Sequence, residues 1–417
     1  MARRLSAFRD WDRVGDRLTW YFSVARDIKP AKYLLARRIG CTLDLPTATL
    51  DELWTEHDLA TTRFLDLWTE TRQRGVRLTG LPPENPSLLD LTAELVHRML
   101  ACCTFCRWNC RVDRTIDAKL GTCQLNDLSR VASYFDHHGE ELVFRGYAGS
   151  GTVFFTSCNM RCQFCQNGDI SHDKNNGILV TPREVAAMAW QLRRAGCHNI
   201  NWVGGEPTVH LQTIVEAIRQ MGSPPSRRDL ASVQRVNQGT MALLLPSEEP
   251  GVYEGEFNVP MLWNSNFFMS PETMRILRPL VDVWLSDFKF GNNQCAVFLS
   301  RTPWYFETVA TNHKLVYDWG EDLVIRHLIM PGHVECCTKP VLNWIAANVP
   351  RALVNVMDQY RPEYACDPLS RAYDDRYRTM ARHPNANEVL EAYAYARELG
   401  LRFQDLSYEK NVTGLRA

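Results

Sequence analysis

Phe155–Asp169 reads FTSCNMRCQFCQNGD, and its three cysteines, Cys158, Cys162 and Cys165, stand in a Cys-x3-Cys-x2-Cys spacing. Three thiolates on one short loop can each hold one iron of a four-iron cluster, which leaves the fourth iron without a protein ligand. An iron with an open position can bind a small molecule and pass it an electron. A zinc site instead needs a fourth cysteine or histidine to close its tetrahedron. Between Gln166 and Gly196 the chain offers only His172. The open cluster is therefore the expected occupant of this loop.

Outward from the triplet, short apolar runs alternate with amphipathic ones. GTVFFTS precedes it; TPREVAAMAWQLRRAG, HNINWVGG, TVHLQTIVEAIRQMG, VPMLWNSN, SPETMRILRPLV, DVWLSDFK, LVIRHLIMPG, TKPVLNWIAANVP, ALVNVMDQY and NEVLEAYAYARELGL follow. Such alternation predicts parallel strands with crossover helices, and places ligand-binding residues in the loops after the strands. Gly204, Gly205 and Glu206 in WVGGEP fall at such an end. Two glycines let the backbone approach a ligand, and the carboxylate suits a cationic amine. Asn264 and Asn266 end the next strand, and Asp287 and Lys289 the one after. Lys289 can meet a carboxylate with Asp287 orienting it, or the two can form a plain strand-end salt bridge. Arg326 with His327, and Gln359 with Tyr360, occupy the last two strand ends. His327 reads equally as a satisfied core histidine.

A second group, CTFCRWNCRVDRTIDAKLGTCQ, holds Cys103, Cys106, Cys110 and Cys123. Four thiolates can enclose a zinc or iron ion, or hold an auxiliary iron-sulfur cluster, and either site is closed. Cys102 could replace Cys103. Cys41, Cys197, Cys295, Cys336, Cys337 and Cys366 lack a partner pattern and read as free thiols. The expected organisation is a helical N-terminal extension (1–100), a Cys-rich metal-binding segment (101–148) and an α/β domain (149–417). Residues 222–258 interrupt that domain as an insertion, either a flap or hairpin or a disordered excursion.

Of the 417 residues, 45% are apolar and 23% charged, with a net charge of −1. Near-neutrality argues against a nucleic-acid partner bound by phosphate neutralisation. The arginines of the first 40 residues read as a solvated helix face. No run approaches the ~18 apolar residues of a membrane span, and no secretory segment opens the chain. Clustered cysteines then fit metal ligation in a reducing cytoplasm, which makes the Asn411-Val412-Thr413 sequon incidental.

Together, the four-cysteine segment, CNMRCQFCQN, GGEPT, SDFK, IRHLIMPG and MDQYRP resemble the radical SAM superfamily. More narrowly they resemble its pyruvate formate-lyase activating enzyme-like branch, in its longer members with an N-terminal four-cysteine segment. The resemblance covers about residues 100–410. It implies a partial (β/α)6 barrel, a [4Fe-4S] cluster on Cys158, Cys162 and Cys165, and S-adenosyl-L-methionine as cosubstrate. It implies cosubstrate contacts at Phe164, Gly204, Gly205, Glu206, Asn264, Asn266, Asp287, Lys289, Arg326, His327, Gln359 and Tyr360. Glu206 would receive the methionine ammonium and Lys289 its carboxylate, while Met330 and Pro331 shape the adenine pocket. The expected partners are a flavodoxin- or ferredoxin-type electron donor and a protein or peptide that loses a hydrogen atom. A small-metabolite substrate is the alternative, and a non-enzymatic electron carrier a remote one. Departures include CRWNC, where relatives commonly carry Pro-Arg, and the absence of repeated ferredoxin spacing.

Overall fold

The alternating runs assemble into one eight-stranded sheet in the computed structural model, which describes residues 13–116, 118–237 and 251–408. Its strands are β1 (Ser129–His137), β2 (Ser150–Phe155), β3 (Ile178–Val180), β4 (Ile200–Gly204), β7 (Met261–Ser265), β8 (Val283–Asp287), β9 (Leu323–Leu328) and β10 (Leu353–Met357). A separate hairpin pairs β5 (Val252–Tyr253) with β6 (Glu256–Phe257). The order is β10-β9-β8-β7-β4-β2-β1-β3. From β2 to β10 every neighbouring pair is parallel. β1 and β3 extend the β2 edge in antiparallel fashion.

The parallel strands follow one another in chain order without reversal. Right-handed crossovers then place every connecting helix on one face, so the sheet curls as a partial (β/α)6 barrel. Helix Pro182–Arg194 starts at a capping box between Thr181 and Glu184, with proline in its first turn. Helix Leu211–Gln220 turns Leu211, Ile214, Val215 and Ile218 into the core. Trp202, Trp263 and Trp284 are fully buried and lie in register on β4, β7 and β8. Flat rings stacked along adjacent strands suit a pleated surface with no solvent on either side.

The helical prefix shares this core. One apolar cluster runs from Trp20 to Phe403. Capping boxes at Thr49–Glu52 and Ser87–Asp90 open helices Leu50–Arg74 and Leu88–Met99. Below the strands, Asp282 accepts hydrogen bonds from Trp20 Nε1 (2.8 Å), the Lys32 amide (3.0 Å) and the Met261 amide (2.8 Å). Lys32 pairs with Glu321, and both side chains are fully buried. Asp322 accepts from the Tyr21 amide at 2.8 Å.

Two segments differ from expectation. β1 lies inside the stretch anticipated only as Cys-rich, where RVASYFDH carries enough alternation for an edge strand. The 222–258 insertion contains a capped helix, Arg227–Val233, and the β5–β6 hairpin. The hairpin is fastened by Phe257, whose ring stacks on Trp190 at 3.9 Å, and by Glu256 against Arg37 and Arg38. The apolar run Met241–Leu245 and the Asn411 sequon lie outside the described residues.

Candidate active site

The triplet loop leaves β2 at the carboxyl end of the parallel strands. Its backbone is held from several sides without help from sulfur. The Ser157 amide donates to Ile170 O (2.8 Å), Arg161 to Ser300 O (3.0 Å), Gln163 to Leu299 O (2.8 Å) and Ala365 to Gln163 O (2.9 Å). Trp108 Nε1 donates to Asn159 O at 2.7 Å. Gly204 and Gly205 press against this loop. A Cβ on Gly205 would lie 1.7 Å from Ser157 O, and one on Gly204, whose φ is +134°, would lie 2.1 Å from Phe155 O. Only glycine permits that approach.

Donors already point at two of the sulfurs. Cys158 Sγ accepts from the Met160 amide (3.3 Å) and Asn266 Nδ2 (3.5 Å), and Cys165 Sγ accepts from Ser171 Oγ (3.2 Å). Burial pushes the Cys158, Cys162 and Cys165 thiols up, Cys162 to about 12 despite nearby Lys289. Thiolates here therefore need a metal charge beside them. Among the described residues no three of these sulfurs lie within 4.8 Å of one another. Cysteines sharing one tetrahedral zinc sit about 3.8 Å apart, so the wider set fits a multi-iron core. His172 does not complete a zinc site: its Nε2 meets the Cys162 carbonyl oxygen at 3.1 Å and its ring stacks on Tyr364.

Around the loop, the strand ends form one polar network. Glu206 is 1% exposed. Its Oε1 accepts from the Thr208 amide (3.1 Å), Thr208 Oγ1 (2.5 Å) and Ser265 Oγ (2.7 Å), and its Oε2 from the Asn266 amide (2.9 Å). Burial raises its pKa against these hydrogen bonds. Asn266 Nδ2 also donates to Asn159 Oδ1 at 2.7 Å, which ties this strand end to the triplet. Asp287 sits between Lys289 and Arg326, with Arg326 Nε 2.8 Å from Oδ1. Burial opposes its ionisation, yet the two cations hold its pKa below the usual carboxylate value. The Lys289 ammonium loses solvation by burial, but Asp287 keeps its pKa raised. Arg326 also donates to Asn264 Oδ1.

Glu140 and Glu141 went unnoticed in the sequence. They arrive from the β1–β2 connection and fill the barrel centre. Glu140 Oε2 accepts from Asn201 Nδ2 (2.6 Å) and Asn264 Nδ2 (3.2 Å), and its Oε1 lies 3.6 Å from Arg326 NH1. Glu141 accepts from Asn355 Nδ2 at 3.0 Å. No local pattern marks them; the signal is their long-range pairing.

Other anticipated residues lie apart. His327 is sealed, with Nδ1 on Phe288 O (2.7 Å) and Nε2 on Thr338 Oγ1 (2.9 Å), and burial lowers its pKa to about 4. Both nitrogens are spent, so it is a satisfied core histidine rather than a cofactor ligand. Tyr360 donates to Met380 O (2.8 Å), and its ring packs on Phe164 5.9 Å away. It supports the loop through Phe164. Gln359 is exposed, and its carbonyl oxygen accepts from Gln166 Nε2 at 3.3 Å.

Cys103, Cys106, Cys110 and Cys123 line one hollow together with Phe105, Val112 and Arg114. Cys102 is exposed and does not line it, which selects Cys103 of the adjacent pair. Burial raises the Cys103 and Cys106 thiols.

The Radical SAM superfamily profile matches residues 152–345. The uncharacterized protein MJ0674 of Methanocaldococcus jannaschii is 34% identical over 381 residues, covering 89% of this chain and 96% of its own length. The chain belongs to the radical SAM superfamily. Among solved structures, a domain of pyruvate-formate lyase-activating enzyme from Bacteroides vulgatus is 15% identical, with a TM-score of 0.27 over 35% of this chain and 80% of its own. Streptococcus suis SuiB bound to S-adenosylmethionine is 14% identical, with a TM-score of 0.37 over 60% of this chain and 48% of its own. SuiB bound to its precursor peptide SuiA is also 14% identical, with a TM-score of 0.36 over 60% of this chain and 46% of its own. Radical SAM membership implies a [4Fe-4S] cluster and S-adenosyl-L-methionine, and the sulfur set at Cys158, Cys162 and Cys165 fits that cluster. No helix among the described residues is long and apolar enough to cross a membrane.

Proposed function

We propose that this protein reductively cleaves S-adenosyl-L-methionine and uses the resulting radical to take a hydrogen atom from a protein or peptide. The observation that carries it is the convergence of three buried sulfurs with Glu206, Asn266, Asp287 and Lys289 at adjoining strand ends. The cluster, when bound at Cys158, Cys162 and Cys165, supplies the electron that breaks the sulfur–carbon bond.

The chain's own groups bind, orient and exclude water. Glu206 Oε2 takes one hydrogen bond from the described residues, which leaves acceptor capacity for an ammonium. Lys289 stays cationic beside Asp287 and offers donors to a carboxylate. Arg326, locked by Asp287, Asn264 and Glu140, fixes the Asp287 carboxylate that orients Lys289. Met160 and Ser171 supply hydrogen bonds that favour sulfur in its thiolate form.

The four-cysteine hollow belongs to the same reading as a second, closed iron-sulfur site. Among the described residues no three of its sulfurs lie within 4.8 Å, wider than a single zinc requires. An external flavodoxin- or ferredoxin-type protein delivers the electron. The polypeptide substrate rests on the activating-enzyme-like motifs of the sequence.

Anaerobically reconstituted Cys162→Ala protein should retain its fold and form no 5′-deoxyadenosine by liquid chromatography; continued formation would refute the catalytic assignment. The Cys106→Ser, Cys110→Ser double variant should lose a further set of irons while the triplet keeps its own. For the substrate class, deuterated cell extract is split by size and 5′-deoxyadenosine is analysed by mass spectrometry. Deuterium should come from the macromolecular fraction; transfer from the small-molecule fraction alone overturns the polypeptide assignment.

A further inference from the structure

Three cysteines that read as free thiols in the sequence meet beside this site. Cys295 lies in helix Asn293–Ser300 after β8, while His333 and Cys336 flank and occupy the π-turn Val334–Thr338 after β9. Cys295 Sγ and Cys336 Sγ are 3.7 Å apart. One ligand atom each from Cys295, His333 and Cys336 lie within 4.8 Å of one another, the one such group among the described residues. Two sulfurs bound at about 2.3 Å to one tetrahedral zinc stand about 3.8 Å apart, whereas a disulfide needs about 2.05 Å.

The surroundings are also those of a ligand set. His333 Nδ1 is 2.9 Å from the Pro331 carbonyl oxygen. A carbonyl only accepts, so Nδ1 carries the proton and Nε2 presents its lone pair, the arrangement that metal-bound imidazoles use. Asn292 Nδ2 lies 3.4 Å from Cys295 Sγ and donates to Cys336 O at 2.8 Å, which holds the two cysteine segments together. The Cys337 thiol adjoins Cys295 and is the nearest group to a fourth position.

We propose that Cys295, His333 and Cys336 bind one soft divalent cation of the zinc class, separate from both iron-sulfur sites. Binding expels the thiol protons and changes no oxidation state. The ion joins the loop that follows Asp287 and Lys289 to the loop that follows Arg326, so it acts as a clasp on two strand ends that build the cosubstrate site. This assignment stands independently of the activity proposed above.

The test measures zinc and iron by plasma mass spectrometry on the anaerobically purified full-length protein. About one zinc per chain is expected after passage over a mild chelator, lost in Cys295→Ser, Cys336→Ser and in His333→Ala with iron unchanged. It should persist in Cys106→Ser, Cys110→Ser, which separates it from the four-cysteine hollow. X-ray absorption at the zinc edge should report mixed sulfur and nitrogen neighbours. Absence of zinc from the wild type, zinc unaffected by the substitutions, iron lost in step with them, or a Cys295–Cys336 disulfide by intact mass would each overturn it. Should the double-serine variant fail to fold, His333→Ala on its own decides, since His333 is only half-buried.

Discussion

Glu206 shows how much a single carboxylate does here. It accepts four hydrogen bonds from three residues on two strand ends while almost sealed from solvent. Glutamine at this position keeps the shape but replaces one oxygen with a donor, so at least one inward-facing donor loses its acceptor. We expect Glu206→Gln to cost about 1–3 kcal/mol of stability and to weaken S-adenosyl-L-methionine binding, read by denaturant unfolding and calorimetric titration. Unchanged stability would mean that the Thr208 and Ser265 contacts carry no weight. Residues of this kind are legible in sequence because their meaning is local: the triplet and the Gly-Gly-Glu turn are fixed by spacing within a few positions. Glu140 is illegible for the opposite reason. Its partners Asn201, Asn264 and Arg326 come from three other strands. Cys295 and Cys336 likewise meet only after β9 is laid beside β8.

At the scale of elements, the strand-helix alternation announced the six parallel strands because each needs an apolar run and each crossover an amphipathic one. β1 escaped notice because it pairs antiparallel at the edge, where half its side chains stay partly exposed. The fit of β4 against the triplet loop depends on missing side chains. Gly205→Ala places a Cβ inside the van der Waals shell of Ser157 O, and both partners are backbone. We expect that variant to misplace the loop, with iron content at the triplet falling severalfold by metal analysis and circular dichroism largely preserved. Gly75→Ala, at the end of helix Leu50–Arg74 with nothing within 4 Å, is the control for a positive-φ glycine without a close neighbour. It should leave iron loading intact.

For the whole molecule, a belt of buried charge beneath the strands joins the helical prefix to the barrel. Burial pushes the Asp282 carboxyl up to about 6 and the Asp322 carboxyl up to about 7. The folded state therefore holds protons that the unfolded chain has already released near its ordinary value of 3.8. Their contribution is complete below that value and is lost as pH rises towards the folded values, so stability declines between about pH 4 and 7. Asp322→Asn keeps an acceptor for the Tyr21 amide and removes the titration. Its melting temperature should gain on the wild type as pH is raised from 5 to 8; a constant offset would count against the buried carboxyl as the cause. The triplet loop illustrates a different kind of independence. Its amides are anchored to Ile170, Ser300 and Leu299 by bonds that involve no metal. When oxygen strips the inorganic core, the socket therefore outlives its contents, and iron, sulfide and a thiol suffice to refill it without unfolding the chain.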